Sequence, residues 1–459
     1  MFDKQIVDFN ENILSLRDFV DLIEPILIKR FKEHDEKVQP LFLKAALKDL
    51  LEKKPETLED GEQTKFEELQ KELDKKIHSI YNDNIEVAFE SLEQDGAKTT
   101  ARSLTIKASN PIDFDTYFEN ARKSSGHIEL LYKNSLISLL SSVEWFFAQV
   151  LHFYYDKFPD SAGINDKNLK LSDLKTFPSI KDAEKHLIEL KIEDVLRGNF
   201  ESWIELLKKD LKLGLGYLDS IKDELIEIYQ RRNLLVHNGG VVNSIYFSKV
   251  KQELRKDVEI GEEIEIDKDY LDNAICKLQL SFILIGAELW KKLDANDKNR
   301  GDILTDIIYE NVLKSRWEIA DGISYFLIND AKMGTTDKVV AQLNNWLCKK
   351  RMKKYDTIKQ DIEKADYSDK KEIFQLALSA LKEDKEEFFE LLPIALDSRQ
   401  INILRLEEFP IMEEMRATEE YKKFKAESKY FKEPNQPILE DDVEEKLPPT
   451  LGSYVPKVP

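Results

Sequence analysis

The sequence predicts a mainly α, multi-domain helical protein, and three observations support this prediction. Glycine and proline are scarce, with 15 and 14 among 459 residues, so tight turns are few. Apolar residues recur at spacings of three and four through most of the chain, as on one face of a helix. Residues 85–109 are rich in β-forming residues, and other β-like segments are short. The length suits roughly two to four domains.

Residues 1–112 form the first predicted region, which is helical and carries a small β-hairpin. The stretches "IVDFNENILSLRDFVDLIEPILIKRF" and "FEELQKELDKKIHSIY" have helical apolar spacing. Residues 85–109 then alternate in a β-like pattern around Asp95-Gly96, a dipeptide that favours hairpin turns. We therefore expect two short strands joined at that turn.

Residues 113–297 form the second region, a helical bundle built around three long apolar segments. "SLISLLSSVEWFFAQVLHFYY" predicts a central buried helix, and "YLDNAICKLQLSFILIGAELWKKL" predicts another. Between them, "IKDELIEIYQRRNLLVH" predicts an amphipathic helix that ends at Asn238-Gly239-Gly240. The short segments "VVNSIYFSKV" and "GEEIEID" that follow it are β-like, and we expect them to be extended.

Residues 298–432 form a third, C-terminal helical region, which we expect to consist of paired helices. It lacks a fixed 34-residue signature, so a tetratricopeptide-type repeat is only weakly indicated. The tail, residues 433–459, is acidic and rich in proline, which predicts disorder.

Charge and composition exclude several classes of protein. A net charge of −20 argues against a general nucleic-acid coat, although a local basic site remains compatible with it. The two cysteines are far apart, which favours a reducing cytoplasm and argues against structural zinc. The N-terminus does not resemble a signal peptide, and the apolar segment 135–155 is interrupted by polar residues, so we expect no membrane span. Phosphate-loop, dinucleotide, zinc-protease and hydrolase-elbow motifs are missing from the sequence.

The strongest candidate for catalysis is "RRNLLVHNGG", at the end of the amphipathic helix. Asn233 and His237 are one turn apart on one face, while Arg232 is long enough to curl back toward them. A histidine can take the proton of an RNA ribose 2′-hydroxyl, and that oxygen can attack the adjacent phosphorus. An arginine fork suits the charge that develops on the phosphoryl oxygens, and asparagine can position the phosphate. This chemistry needs no metal and no cofactor.

A purely structural interpretation of the same segment stays open. A cation in the last turn stabilises a helix, and Asn-Gly-Gly is a favourable left-handed cap, so the motif is also typical of a well-terminated helix. Glu144 lies inside an apolar helix, where an unpaired charge is costly. Glu144 either pairs with Arg231 or Arg232, and so supports the site, or it faces solvent at a notch.

The segment "ELIEIYQRRNLLVHNGGVVNSIY" resembles the HEPN superfamily, whose ribonucleases carry an Arg-x4-6-His motif, commonly with a polar residue after the arginine. Arg232, Asn233 and His237 match that motif, and the looser likeness covers residues 115–297. The resemblance implies a helical domain that dimerises so that two motifs face one cleft. It also implies metal-independent endoribonuclease activity, as in toxins and anti-phage effectors. The tyrosine that follows the histidine in one toxin subgroup is replaced here by Asn238 and Gly239, so regulation through that tyrosine is not expected.

A second basic cluster lies in "CKKRMKKYD", which includes Lys349, Lys350 and Arg351. These cations either bind RNA or an acidic partner, or form a solvated helix face.

Our leading hypothesis is a cytoplasmic, conditionally active endoribonuclease that works as a homodimer under the control of a protein trigger. His237 would act as general base or acid, Arg232 would stabilise the transition state, and Asn233 would position the phosphate. The alternative is a non-catalytic module for dimerisation or RNA binding, with the C-terminal helices as a partner scaffold. A third possibility is a toxin held inert by another protein.

Overall fold

The structure is a computed structural model, which describes residues 2–53, 60–92, 101–165, 167–255 and 258–432. Helices account for most of the described residues, so the predicted mainly α fold is confirmed. The predicted disorder of the tail concerns residues 433–459, which lie outside the described residues. The helices, in chain order, are α1 Asp3–Lys53, α2 Asp60–Tyr81, α3 Phe114–Lys157, α4 Leu171–Leu174, α5 Ile180–Leu196, α6 Phe200–Glu205, α7 Lys222–His237, α8 Ser244–Lys249, α9 Lys268–Leu293, α10 Asn299–Leu313, α11 Trp317–Asn329, α12 Thr335–Arg351, α13 Lys359–Lys364, α14 Glu372–Lys382, α15 Lys385–Asp397, α16 Ile403–Glu408, α17 Glu413–Arg416 and α18 Glu419–Glu427.

The chain divides into two compact units. The larger unit draws its described residues from Met1–Ser15, Leu136–Ile264 and Asp269–Pro459, and the smaller unit from Leu16–Ser135 and Glu265–Lys268. The predicted domain boundaries after residues 112, 297 and 432 stay predictions.

The smaller unit contains the predicted β-hairpin. Strands β1, Glu86–Leu92, and β2, Ala101–Lys107, pair antiparallel, which confirms the two strands. The turn predicted at Asp95-Gly96 lies outside the described residues. Val87 of β1 is buried in a core with Ile77 of α2. The alternating pattern therefore gives the hairpin one apolar face, and that face packs on helices.

The central helix of the larger unit is the part of α3 that belongs to it, residues 136–157. Phe146 stacks on Phe9 with ring centroids 4.5 Å apart, and Phe147 stacks on Trp203 of α6 at 4.4 Å. Trp203 in turn meets the ring of Tyr229 on α7 edge-on at 5.5 Å. This aromatic series buries large apolar surfaces and connects α3, α6 and α7. The predicted buried central helix is confirmed.

Helix α3 also has the length and hydropathy of a membrane-crossing helix, alone among the described helices. Within its most apolar window, 44% of the residues are buried inside the protein. Core helices of soluble proteins meet the same criterion, so the finding is weak evidence for a membrane span.

The segment after α7 corrects the β-like expectation for "VVNSIYFSKV". Residues Ser244–Lys249 form helix α8, because the Asn243 side-chain oxygen accepts a hydrogen bond from the Tyr246 N–H at 3.0 Å and caps its start. The extended part is limited to an isolated bridge between Val241 and Glu263. Burial of Tyr246 and a good N-cap therefore outweigh the β propensity of the segment.

The C-terminal part of the larger unit consists of neighbouring helix pairs, as predicted. Consecutive helices α10 and α11, α11 and α12, and α14 and α15 pack against each other. Arg300 of α10 is completely buried beside Asp330, to which its Nη2 donates at 3.0 Å. Its guanidinium also donates to the carbonyls of Asp294 and Ala295, at 2.8 and 3.0 Å. Three hydrogen bonds from two guanidinium nitrogens thus connect the start of α10 with the loop before it and with the residue that follows α11.

Replacing Asp330 by asparagine should strongly destabilise this helix pair. The change leaves the Arg300 charge buried without its counter-charge, which typically costs about 3–5 kcal/mol. Urea denaturation would measure the free energy of unfolding. Glu363→Gln, in the exposed pair with Lys359, is the matched control and should change little. A loss of less than about 1 kcal/mol in Asp330→Asn would contradict the prediction.

Candidate active site

The end of α7 sets the position of His237. The backbone N–H groups of Asn238 and Gly240 both donate to the Leu234 carbonyl at 2.9 Å. Gly239 and Gly240 have φ values of 61° and 85°, a left-handed conformation that glycine adopts without steric cost. The predicted cap is therefore confirmed. His237 is the last helical residue, and its side chain is exposed.

The chain beyond the cap is held in place by backbone pairing. The Val242 N–H donates to the Glu262 carbonyl at 2.8 Å, and the Ile264 N–H donates to the Gly240 carbonyl at 2.9 Å. Val242 and Ile264 also share a buried apolar cluster with Leu234 of α7. The segment that leaves the helix is thus fixed on both its polar and its apolar sides.

A cleft of about 690 Å³ opens along this end of α7. Arg232, Asn233 and His237 all line it, together with Glu144 from α3. The structure therefore brings the three predicted catalytic residues to one cavity. Other polar residues that line it are Arg197, Asn199, Tyr229, Gln230, Asn238 and Asn243.

Glu144 forms an ion pair with Arg232. Arg232 Nη2 lies 2.9 Å from Glu144 Oε1 and donates to Oε2 at 3.1 Å. Arg232 Nη1 donates to the Asn233 side-chain oxygen at 3.3 Å. The predicted pairing of Glu144 is confirmed for Arg232, and the Glu144 side chain also keeps 30% of its surface exposed where it lines the cleft. Burial raises the pKa of the Glu144 carboxyl above its ordinary value, while the Arg232 charge partly offsets that rise.

Arg231 belongs to a separate buried network and does not line the cleft. Its Nε donates to Glu227 at 2.5 Å, and its guanidinium stacks over the Tyr270 ring at 4.0 Å. Glu227 also accepts from the hydroxyls of Tyr246, at 2.9 Å, and Tyr270, at 2.7 Å. The predicted supporting role of Arg231 beside Glu144 is therefore wrong. Arg231 instead fixes α7 from another side, toward α8 and α9.

The predicted RNA-binding cations Lys349, Lys350 and Arg351 do not line the cleft. The Lys350 side chain is only 12% exposed and pairs with Glu383 at 2.7 Å and Glu414 at 2.6 Å. Arg351 donates to Glu413 at 2.7 Å. The chain's own carboxylates thus pair with Lys350 and Arg351 in an intramolecular ion-pair cluster, and RNA binding by Lys349, Lys350 and Arg351 stays a prediction.

Several cleft residues had not been singled out from the sequence, among them Tyr229, Asn199 and Asn243. Tyr229 lies three residues before Arg232, so helical spacing alone would have placed both on one face. Asn199 and Asn243 accept hydrogen bonds from the Ser202 and Tyr246 N–H groups, as N-caps of α6 and α8. An asparagine just before a short apolar run is the signal that would have indicated such caps.

Among the described residues, no group of three or more His, Cys, Asp and Glu side chains is arranged to hold a metal ion. The chain matches no protein-family model, no curated protein and no solved structure. The motif and the geometry of the cleft are therefore the features that indicate a function.

The free energy of unfolding of the Glu144→Gln variant should increase relative to that of the wild type as the pH rises. The pKa of the Glu144 carboxyl is higher in the folded state than its ordinary value of 4.5, so the unfolded chain loses the carboxyl proton at lower pH than the folded chain does. The protonated carboxyl therefore contributes to the free energy of unfolding below pH 4.5, and that contribution is lost as the pH rises through the folded-state pKa. Glutamine does not titrate and avoids that loss. Urea denaturation of both proteins at pH 4.5 and at neutral pH would measure the difference in free energy of unfolding.

The control for this measurement is Glu193→Gln, which alters an exposed pair with Arg197. The free energy of unfolding of Glu193→Gln should not increase relative to that of the wild type between pH 4.5 and neutral pH. If the wild type instead gained stability relative to Glu144→Gln over the same pH range, attraction to Arg232 would outweigh the cost of burial.

Proposed function

We propose that the protein is a metal-independent endoribonuclease that cleaves RNA by attack of a ribose 2′-hydroxyl, in a cleft formed by a homodimer. The observation that supports this proposal is the joint lining of one cleft by Arg232, Asn233 and His237. These residue types at these positions also resemble the Arg-x4-6-His motif of HEPN ribonucleases. The resemblance further suggests a cytoplasmic toxin or anti-phage effector that a protein trigger activates.

The proposed reaction is an internal transfer at phosphorus. The His237 imidazole accepts the proton of the 2′-hydroxyl, and the 2′-oxygen forms a bond to the adjacent phosphorus. The bond from phosphorus to the 5′-oxygen breaks, and that oxygen takes up a proton from an imidazolium. The products are a 2′,3′-cyclic phosphate and a 5′-hydroxyl. Arg232 stabilises the charge on the phosphoryl oxygens, and Asn233 positions the phosphate.

Exposed apolar side chains near His237 support the homodimer. Val236 is 46% exposed, Val241 is 38% exposed and Ile245 is 63% exposed, and all three are close in sequence to His237. Apolar groups concentrated around a polar cleft are typical of protein interfaces. A second copy of the chain would cover them and place its own His237 toward the same RNA.

A non-catalytic module for RNA binding or dimerisation is the second candidate function, and one observation favours it. Both terminal nitrogens of Arg232 already have partners in Glu144 and Asn233. The cleft could then bind RNA without stabilising a transition state. Cleavage and retention of RNA are separable measurements, so one assay distinguishes the two functions.

Wild-type protein incubated with mixed RNA and EDTA should produce fragments that end in 2′,3′-cyclic phosphate. His237→Ala and Arg232→Ala should each lower the cleavage rate by at least about 100-fold, because general acid–base groups and charge-stabilising donors typically contribute 10²–10⁴-fold and 10²–10³-fold. Gel analysis of the fragments, with enzymatic identification of their ends, provides the measurement.

His186→Ala is the matched control, since it removes a surface histidine on α5 that is not part of the cleft lining. It should cleave like the wild type. Equal cleavage by His237→Ala would refute the assignment, and RNA retention without new ends would favour the non-catalytic module.

Val236→Glu should convert the dimer to a monomer and abolish cleavage without unfolding the chain. A carboxylate at this exposed position would have to be buried against the second copy, where an unpaired charge is costly. Light scattering during size-exclusion chromatography would measure the molecular mass. Leu190→Glu changes an apolar residue of α5 with 43% exposure and should remain dimeric. A wild type that cleaves RNA as a monomer would contradict the dimeric site.

A further inference from the structure

Two hydrogen-bond donors at the cleft have no partner among the described residues. They are the Tyr229 hydroxyl and Arg232 Nε, and both atoms are buried. Tyr229 is only 6% exposed, yet it lines the same cleft as Arg232, one helical turn away on α7. Buried polar groups nearly always find a partner, so two unpartnered donors on residues that line one cleft require an acceptor, which a water molecule or a ligand oxygen can supply.

The other atoms of the Arg232 guanidinium determine where such an acceptor can bind. Nη2 contacts Glu144 and Nη1 donates to Asn233, whereas the Nε–H has no partner among the described residues. The Tyr229 hydroxyl is close enough to Glu144 and Arg232 for both charges to influence its pKa. Burial raises that pKa well above the usual value, so the hydroxyl keeps its proton and remains a donor.

The amides that line the cleft add further donors. The side-chain oxygens of Asn199 and Asn243 accept from backbone N–H groups at 2.8 and 3.0 Å. Since a backbone N–H can only donate, the oxygen of each amide must face it, and the amide nitrogen is left over. Asn233 likewise turns its oxygen to Arg232. Glu144, the carboxylate among the lining residues, is already paired with Arg232.

An excess of donors selects for a ligand that offers acceptors. A nucleobase edge carries donors as well as acceptors, whereas the non-bridging oxygens of a phosphodiester only accept. The Tyr229 ring stacks on Phe200 at 4.7 Å and meets Trp203 edge-on at 5.5 Å, so its hydroxyl is held in a fixed position. A hydroxyl in a fixed position can donate to a non-bridging phosphoryl oxygen, because that oxygen moves little during the reaction.

We propose that the Tyr229 hydroxyl and Arg232 Nε together bind one phosphoryl oxygen of the RNA backbone, which makes Tyr229 a substrate-binding residue. This inference rests on the proposed function for the identity of the ligand as RNA. The phosphate chemistry itself can be tested without cleavage.

Tyr229→Phe removes the hydroxyl and keeps the stacked ring. Binding of a labelled single-stranded 2′-O-methyl RNA, which lacks the attacking hydroxyl, would be measured by fluorescence anisotropy. A second arm would displace this RNA with inorganic phosphate at constant ionic strength. Tyr217→Phe is the matched control, because its hydroxyl is also buried without a partner among the described residues but does not line the cleft.

We expect Tyr229→Phe to weaken binding of the oligonucleotide and of phosphate on the order of tenfold or more, as when a hydrogen bond to a charged group is lost. Tyr217→Phe should bind like the wild type, and thermal denaturation should show both variants folded. Equal binding by Tyr229→Phe, no binding by the wild type, or binding that phosphate does not displace would each overturn the proposal. If Tyr229→Phe weakens binding but the wild type cleaves no RNA, the phosphate subsite stands and the nuclease assignment fails.

Discussion

The ion pair between Glu144 and Arg232 is the interaction on which the rest of the site depends. In an ideal helix, residues five apart differ by roughly 140° in direction, so Arg232 and His237 would diverge. The carboxylate on α3 draws the guanidinium toward α3, at 2.9 Å, while the helix ends directly after His237. Both side chains consequently line one cleft. The site is thus made by a helix terminus and a tertiary contact together, and a single helix face would not be sufficient.

Neighbouring arginines hold α7 from two directions. Arg232 pairs with Glu144, and Arg231 pairs with the buried Glu227, which also accepts from two tyrosine hydroxyls. Ion pairs of this kind contribute little net stability, because removing charges from water offsets most of their attraction. The raised pKa of Glu144 expresses that cost. Their main effect is on geometry, since each guanidinium is restricted to one orientation. Rotation of α7 would break the Glu144–Arg232 pair and the contacts that the Glu227–Arg231 pair of α7 makes with Tyr246 and Tyr270.

Local sequence signals predicted the helices, the two strands and the Asn-Gly-Gly cap, because spacing and glycine conformation are local properties. The same reasoning gave Glu144 two partners to choose from, and only the packing of α3 on α7 decided between Arg231 and Arg232. Spacing did not indicate the partner of Lys350, Glu414, which lies far along the chain. The sequence pattern also did not indicate a role for Tyr229, because a buried hydroxyl without a partner can be recognised only once its neighbours in the structure are known. The spacing of residues along the chain therefore does not predict which residues pair over long range or which polar groups are buried.

For the proposed reaction, the neutral Glu144–Arg232 pair has a useful electrostatic consequence. A guanidinium balanced by a carboxylate attracts a distant anion weakly, and the chain's net charge of −20 opposes strong binding of RNA in the ground state. The free Nε–H and the Tyr229 hydroxyl act instead at short range, as fixed dipoles whose benefit grows as charge accumulates on the phosphoryl oxygen. Interactions that strengthen in the transition state raise the rate, whereas uniform binding does not. A cleft with oriented donors and little net charge would therefore favour turnover over tight retention of RNA.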